Sequence, residues 1–386
     1  MFKNILNIPR YLNLNKVGLL EMTLALVPLL SGYGLGSLPL SLLVWVVLFV
    51  ILLFQNKIFR LRDFKPFKLF VIYWLLHQMA MILIDDLNLN GLISNVFYFV
   101  AVFAVSTNLD IEKLKGSLNW VALISIAGLL YQWSGIMAGG TVHPLGLPGL
   151  TMEENRLLTE VIRPSSFYME PASYVAFMFC PLLFSLNDRK YIWTTIIILS
   201  MFLTTSTTGL VVSFIMLAVS FVSARRVKIW GLIPIVIVGF GLFYALTNWD
   251  IFEYGLTKFE NTEIETNVRL AQGPYVVSTM QPEEYIFGVQ YSTPYRYCKA
   301  GHAPNVVYYG DTVYMSTFWQ MILLYGIIGL LLYLNVYLQI AKRCRQALPL
   351  IAALLAVLFS SGYSTGIIYV FTLIILLCVV YNNENK

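Results

Sequence analysis

Long apolar segments recur along almost the whole chain, and they constrain its fold more than any other feature. About 20 apolar residues cross a hydrocarbon layer roughly 30 Å thick. With 58% hydrophobic and only 12% charged residues among 386, the chain is too apolar for a soluble domain of average composition. It predicts an all-α integral membrane protein, a single polytopic domain over 1–386 with about twelve transmembrane helices. The candidate spans lie at about 17–35, 37–55, 68–85, 89–106, 117–137, 170–186, 190–205, 208–223, 229–247, 314–337, 347–361 and 363–381.

The positively charged residues predict how these spans are oriented. Basic residues accumulate on cytoplasmic connections. With the N-terminus inside, all but six of the 25 Lys and Arg residues fall on the cytoplasmic side. Both termini are therefore predicted to be cytoplasmic. The same asymmetry accounts for the net charge of +5, so no nucleic-acid partner is predicted.

The exoplasmic side holds the two longest connections, at about 138–169 and 248–313. Loops of this length usually have a functional reason. Their basic residues stand against the usual charge bias and predict an anionic ligand on the exoplasmic face. The six outward basic residues all lie in these two loops: Arg156, Arg163, Lys258, Arg269, Arg296 and Lys299.

The first loop ends in a polar segment, Arg163-Pro-Ser-Ser-Phe-Tyr-Met-Glu170-Pro171, at the edge of an apolar span. Proline is common at the first turn of a helix, so Glu170 could simply complement the helix dipole. Arg163 alone could anchor to a lipid headgroup. Together with Ser165 and Ser166, they form a compact set of donors and acceptors at the membrane surface. We favour substrate binding by Arg163 and Ser166, and a catalytic role for Glu170.

The second loop carries a second set of candidates. Arg269 is predicted to lie in a short helix, and Pro282–Val289 is predicted to be a turn that leads into an extended stretch. His302, with Asp311 in the same loop, could act as a base or contact a pyrophosphate. Asn305 is a further candidate for substrate binding. The surrounding tyrosines suit sugar faces as well as membrane interfaces: Tyr291, Tyr295, Tyr297, Tyr308 and Tyr309.

Polar residues within or at the ends of the spans have alternative interpretations. Glu21 and His77 could belong to an ion pathway. Glu21 lies near the cytoplasmic end, however, and His77 could bond across helices. Asp85 is either a solvated helix end or a general base or hydroxyl acceptor that faces the outer cavity. Gly326-Ile-Ile-Gly329 predicts close helix approach rather than phosphate binding.

The cysteines indicate neither metal nor disulfide chemistry. They form no CxxC pair, and only Cys298 lies on the predicted exoplasmic side, so no metal site, disulfide or cofactor is predicted. The four cysteines are Cys180, Cys298, Cys344 and Cys378.

Several features, in order, resemble the Wzy-type O-antigen and exopolysaccharide polymerases and the related O-antigen ligases, over roughly 120–335. The resemblance implies a GT-C-like glycosyltransferase of the bacterial cytoplasmic (inner) membrane, with a periplasmic or extracellular active site. Its substrates would be undecaprenyl-pyrophosphate-linked oligosaccharides. The motifs are Arg163-Pro-Ser-Ser-Phe with Glu170-Pro171, Thr204-Thr-Ser-Thr-Thr-Gly209, Asn267-Val-Arg269, Phe287-Gly288-Val289, His302 with Asn305, and Gly326-Ile-Ile-Gly329.

The resemblance also implies roles for individual residues. Family arginines in the two outer loops, here Arg163 and Arg269, would hold the pyrophosphate, and a loop histidine, here His302, would act beside them. The Ala-Pro-Asn context of His302 departs from the family. Because a lipid pyrophosphate is already a good leaving group, preorganised arginines that stabilise its growing charge suffice without a metal. Glu170 would position Arg163 or serve as a base.

Two other functions stay open. An O-antigen ligase would transfer the glycan from its lipid carrier to another acceptor. A polysaccharide flippase or transporter is a more distant alternative, because transporters place ionisable groups and broken helices near the bilayer midplane. The predicted partners are the lipid bilayer and the lipid-linked oligosaccharide, with a chain-length regulator as a further candidate.

Overall fold

The computed structural model describes residues 8–36, 38–57, 64–83, 89–139, 142, 145–152, 163–224, 268–310, 312–360 and 366–384. Within these ranges the chain is mostly helical and also contains two small β-sheets, which the prediction of an all-α fold missed. The helices are α1 (Ile8–Tyr11), α2 (Leu19–Leu26), α3 (Leu40–Phe54), α4 (Lys65–Leu83), α5 (Leu89–Ser106), α6 (Ile111–Met137), α7 (Pro171–Asn187), α8 (Tyr191–Leu203), α9 (Thr207–Ala224), α10 (Val268–Ser278), α11 (Pro282–Phe287), α12 (Pro294–Tyr297), α13 (Thr317–Arg343), α14 (Leu348–Ser360) and α15 (Ile367–Glu384). The strands are β1 (Tyr33–Leu35), β2 (Leu38–Pro39), β3 (Thr151–Met152), β4 (Tyr308–Tyr309) and β5 (Thr312–Val313).

Three helices of the described chain, α6, α13 and α15, are long and apolar enough to cross a membrane. Several others, such as α3 and α7, are apolar but only 10–17 residues long. The predicted span at 229–247 lies outside the described residues. A mostly helical chain with three helices long and apolar enough to cross a membrane is thus confirmed, whereas the count of about twelve spans and the GT-C-like architecture stay predictions.

The predicted first span, 17–35, is wrong as a single helix. Helix α2 ends at Leu26, and a 3₁₀ turn at Leu29–Gly32 leads into β1. Pro28 provides the physical reason, because proline has no N–H to continue the helical ladder. Strand β1 instead pairs antiparallel with β2 and with β3, which brings the first long loop onto the end of α2 and α3.

The helices pack around α15, which is buried on all sides from Tyr369 to Tyr381. A helix that is apolar all round belongs in an interior, and α15 contacts α5, α7 and α13. Outside it, α4 packs on α13, α9 packs on α14, and α7 lies against α6, α8 and α9. The turn Thr204–Ser206 between α8 and α9 agrees with the predicted break between two spans.

Ion pairs join helix ends that the predicted topology places together in the cytoplasm. The Lys115 ammonium lies 2.9 Å from the Asp188 carboxylate, linking the start of α6 to the end of α7. Arg343 and Glu384 approach to 3.5 Å at the ends of α13 and α15. These contacts place four chain segments at one end of the helix bundle.

Glu21 has a structural role at the same end. Its carboxylate is buried and accepts a hydrogen bond of 2.8 Å from the backbone N–H of Asp110, the N-cap residue of α6. Helix N-termini carry unpaired N–H groups and a partial positive charge. The interpretation of Glu21 as a residue outside any ion pathway fits this contact.

Helix α13 is broken at Gly326, whose φ of +62° does not occur in a right-handed helix. The backbone that follows α11 packs into the break. Val289 donates its N–H to the Leu323 carbonyl oxygen at 2.8 Å. A Cβ atom on Gly326 would lie 2.2 Å from the Ile286 carbonyl oxygen, so only glycine fits here. The predicted close approach at this glycine is confirmed, and its partner is the end of the short helix α11 together with Gly288.

The prediction for Pro282–Val289 is partly wrong. Residues Pro282–Phe287 form α11 instead of an extended stretch. The side chain of Gln281 and that of Glu284 make a capping box at its start, which satisfies two backbone donors. The helix ends at Gly288, where φ is +90°.

Candidate functional site

The first predicted segment forms a turn between α6 and α7. Pro171 opens α7, as predicted, and Glu170 is its extended N-cap residue. The Glu170 side chain makes no capping hydrogen bond, so it is not held by the helix start that it precedes. Arg163 and Glu170 are both half-buried, and neither is without a partner.

The middle of this turn is anchored to α6 by one side chain. The Gln132 amide oxygen accepts the backbone N–H groups of Ser165 at 3.0 Å and of Ser166 at 2.8 Å. Two successive N–H groups that converge on one acceptor resemble the backbone nests that bind anions. Here the acceptor is a neutral amide, and the Ser165 hydroxyl is bonded to the Tyr168 carbonyl.

Ser166 lies inside the turn instead of on its surface. It is only 1% exposed, its φ is +56°, and its N–H is already bonded to Gln132. Its buried hydroxyl oxygen has no hydrogen-bond partner among the described residues. Contact with a substrate would require the turn to open, and the substrate-binding role of Ser166 stays a prediction.

A close fit between the turn and α6 explains how this segment is positioned. A Cβ atom on Gly128 would lie 2.5 Å from the Ser166 hydroxyl oxygen. Below it, the Tyr168 hydroxyl lies 3.2 Å from the Ser125 hydroxyl. Burial raises the pKa of Tyr168 well above its usual value, so this hydroxyl stays neutral. The turn is therefore a packed platform, with Arg163 and Glu170 at its two ends.

Arg269 lies in the first turn of α10, which confirms the predicted short helix. Its side chain is outside the described part of the structure. The position of the helix is fixed by two contacts. Gln272 donates to the Val307 carbonyl at 2.9 Å, and a Cβ atom on Gly273 would lie 2.3 Å from Trp319 of α13. Helix α10 thus rests on the start of α13 and on the loop before β4.

His302 lies at the centre of an aromatic group that we call the histidine–tyrosine cluster, formed by Tyr291, Tyr297 and His302. The Tyr291 hydroxyl and His302 Nε2 are 2.9 Å apart. The Tyr297 ring stacks on the imidazole, with centroids 4.6 Å apart and planes 10° from parallel. Tyr297 is in turn held by the Thr279 hydroxyl at 3.2 Å. The imidazole is therefore oriented yet exposed.

Basic side chains flank this cluster on the same turn. Lys299 donates to the Tyr295 hydroxyl at 2.9 Å and lies 5.1 Å from the centre of that ring. The Tyr295 ring meets Tyr308 edge to face at 5.7 Å. Arg296 and Lys299 are both exposed. Flat rings beside cations suit a ligand that combines sugar faces with negative charge.

Cys298 lies beneath this surface and takes no part in its chemistry. Burial raises the pKa of its thiol to about 11. The nucleophilic form of cysteine is the thiolate, so Cys298 is unreactive at neutral pH. It contributes instead to the core on which the cluster rests.

The remaining predicted residues are less closely joined. Asn305 is exposed, and its backbone N–H donates to the Tyr275 hydroxyl at 3.4 Å. Asp85 and Asp311 lie outside the described residues. Within the described chain, the hydrogen bonds and ring contacts of His302 and Asn305 go to residues 275–297, and none goes to the turn at 163–170. Among the described residues, the two groups of candidates thus make no direct hydrogen bond or ring contact with each other.

The sequence did not predict the structural roles of Gln132 and of two glycines, Gly288 and Gly326. Gln132 holds the first turn, and the two glycines let a loop enter a membrane-length helix. The motif Phe287-Gly288-Val289 was a signal for the second feature, because glycine between apolar residues often marks close backbone approach. For Gln132, the corresponding signal was a glutamine within an otherwise apolar segment.

The described residues contain no group of three or more His, Cys, Asp or Glu that could hold a metal ion. The two groups of candidates offer hydrogen bonding, positive charge and aromatic faces. No protein-family model matches the chain, and no curated protein sequence matches it.

Proposed function

We propose that this chain is a membrane glycosyltransferase that polymerises undecaprenyl-pyrophosphate-linked oligosaccharide repeats into O-antigen or exopolysaccharide. The observation that carries the proposal is the exposed surface around His302, where an oriented imidazole stands beside tyrosine rings and two cations. Such a surface suits a sugar attached to a pyrophosphate. About twelve spans, a GT-C-like architecture and an active site on the outer face of the bacterial cytoplasmic membrane are parts of the same proposal.

The arrangement of helix ends supports the proposed orientation. The segments that would be cytoplasmic are joined by Lys115 with Asp188 and by Arg343 with Glu384. Segments that would be exoplasmic meet elsewhere, as when Gln132 binds the turn at 163–170. Chain segments assigned to one side by charge are therefore neighbours, which is what a common membrane face requires.

In the proposed reaction, a sugar hydroxyl of the acceptor attacks the anomeric carbon of the donor. The new carbon–oxygen bond forms as the bond to the lipid pyrophosphate breaks, and the hydroxyl proton passes to a base. Arg163 and Arg269 would hold the departing pyrophosphate, since fixed cations stabilise charge that grows in the transition state. Glu170 would position Arg163 or accept the proton.

His302 would contact the pyrophosphate or the acceptor hydroxyl. Tyr291 engages Nε2, which leaves Nδ1 as the nitrogen directed to a substrate. A histidine whose second nitrogen is held by a neighbour is oriented for proton transfer. Asn305 and Asp85 would bind sugar hydroxyls in this scheme.

Polymerisation of a defined lipid-linked repeat by purified protein tests the proposal. We expect Arg163→Ala and Arg269→Ala each to lower the rate by about a hundredfold or more, the usual cost of removing one preorganised donor. Arg345→Ala is the matched control, because Arg345 is exposed at the opposite, ionic end of the bundle. Folded Arg163 and Arg269 variants with full activity would refute the clamp.

A ligase remains the nearest alternative, and the same assay separates the two. A polymerase gives a ladder of products that differ by one repeat, whereas a ligase gives one capped product on a different acceptor. The structure also offers one observation in favour of a transporter, namely the break in α13 at Gly326, since broken helices line transporter sites. Movement of labelled lipid-linked oligosaccharide across vesicles without elongation would favour that function.

A further inference from the structure

His77 of α4 is a polar side chain to which the proposed function gives no role. Both ring nitrogens are buried, and neither has a hydrogen-bond partner among the described residues. The imidazole meets the Tyr325 ring edge to face at 5.2 Å. The Val289 backbone also interacts with the ring, although the geometry falls short of a hydrogen bond. The expected bond from His77 to another helix is therefore absent from the described contacts. Buried polar groups are nearly always paired, so this one needs an explanation.

Val289, whose backbone interacts with His77, is the last residue of the segment Pro282–Val289, which we call the strap. It consists of α11, Gly288 and Val289, and it enters the break in α13. None of the residues of α11 is buried. Ile286 and Phe287 are 47% and 58% exposed. Apart from Val289, which is fully buried, the strap thus has little buried surface, and such segments are the kind that open locally.

Few polar contacts hold the strap in place. The Tyr73 hydroxyl lies 3.0 Å from the Phe287 carbonyl and 2.8 Å from the Tyr325 carbonyl. A tyrosine has one hydroxyl hydrogen, so these two carbonyls share a single donor. A second contact is the 2.8 Å bond from Val289 N–H to the Leu323 carbonyl, and the Val289 backbone also interacts with His77.

The ends of the strap can absorb a change of conformation. Gly288 follows α11 with a φ of +90°, and Gly326 faces it with a φ of +62°. A Cβ atom on Gly288 would lie 2.3 Å from the Leu324 carbonyl oxygen. The backbones at the two glycines are in direct contact, and no side chains interdigitate between them. Loops that move about a hinge of a few residues have such contacts.

We propose that the strap is a lid over a crevice between α4 and α13, and that it opens toward the exoplasmic side to expose His77. A neutral imidazole has one donor and one acceptor, which in the open form bind a hydroxyl group, from water or from a sugar. The direction of opening rests on the orientation given in the proposed function. In the closed form, the imidazole contacts the Tyr325 ring and the Val289 backbone and completes no hydrogen bond among the described residues, because the strap excludes the hydroxyl group.

Thiol labelling of reconstituted full-length protein tests the lid. The reporter is His77→Cys in a chain whose four buried native cysteines are replaced by alanine, and the probe is a membrane-impermeant maleimide. Tyr73→Phe removes the shared donor. We expect it to speed labelling from the exoplasmic side by about tenfold, the factor for one buried hydrogen bond. Tyr337→Phe is the matched control, since it removes a buried hydroxyl from the unbroken part of α13. It leaves the rate unchanged.

Two outcomes would overturn the lid. Equal labelling rates with and without Tyr73→Phe would show that the strap does not control access, and labelling from the cytoplasmic side alone would reverse the opening. A second measurement avoids substitutions. Amide hydrogen exchange of the native chain should be faster at Val289 than at Val336 of α13, although both side chains are fully buried. Equal protection would refute the lid. Neither experiment uses a glycan, so failure of the lid and failure of the polymerase assay are separate results.

Discussion

The turn at 163–170 and the histidine–tyrosine cluster carry the two halves of the predicted site, and they use their polar groups differently. In the turn, the N–H groups of Ser165 and Ser166 are bonded to Gln132 and the serines are buried. In the cluster, His302 is exposed, and so is Lys299 beside it. Their side chains bond to the hydroxyls of Tyr291 and Tyr295. The turn is therefore built to hold a position, and the cluster is built to meet a ligand.

This difference shows that not every polar residue of a predicted exoplasmic loop binds the ligand. A buried donor is costly to leave unpaired, so the turn tolerates little change. Exposed side chains contribute little to stability, so the cluster can change its ligand chemistry at small cost to the fold. Variants of the buried residues of the turn should affect folding, and variants of the exposed residues in and beside the cluster should affect activity alone.

The largest expected effect is at Gln132. Gln132→Ala leaves two buried N–H groups without an acceptor, which we expect to destabilise the protein by about 3 kcal/mol. Thermal unfolding in detergent measures this change. Gln339→Ala is the control, because the Gln339 amide contacts only the neighbouring Asn335 side chain in the described structure. Equal melting temperatures for the two variants would show that the turn does not depend on α6.

A smaller effect is expected from two glycines of α6. Gly128→Ala places a methyl group 2.5–2.9 Å from side-chain atoms of Ser166, Phe167 and Leu145, and should cost about 1–3 kcal/mol. Gly135→Ala meets nothing within 4 Å and should be neutral or stabilising by up to about 1 kcal/mol. Unfolding curves of the pair give the comparison. If both variants behave alike, the turn is not tightly packed against α6.

The smallest effect on stability is expected at Lys299. Lys299→Gln removes an exposed charge and should alter stability by less than about 0.5 kcal/mol. We expect the same variant to slow glycan transfer by about tenfold, because one charge-assisted contact to an anionic substrate is lost. Lys342→Gln at the other end of the bundle is the control for charge. Unaltered transfer with normal folding would remove Lys299 from the ligand surface.

Local features of the fold followed from local sequence. The span predicted at 89–106 coincides with α5, the start of α7 at Pro171 agrees with the motif, and the helix at Arg269 is present as α10. Each of these depends on hydropathy or on proline and its neighbours, which act within one or two helical turns. The failed span at 17–35 shows the limit. Its hydropathy is continuous, but Pro28 and the pairing of β1 with β3 end the helix.

The amino-acid sequence by itself determined that the chain is mostly helical, with helices long and apolar enough to cross a membrane, because hydropathy sums over neighbouring residues. Only the tertiary structure decided that Ser166 faces inward, that α15 is central and that a loop enters α13 at Gly326. Each of these depends on contacts between residues far apart in the chain, such as Ser166 with Gln132 and Tyr73 with Phe287. Such pairs leave no periodic signal in a single sequence, since each is set by how the helices pack.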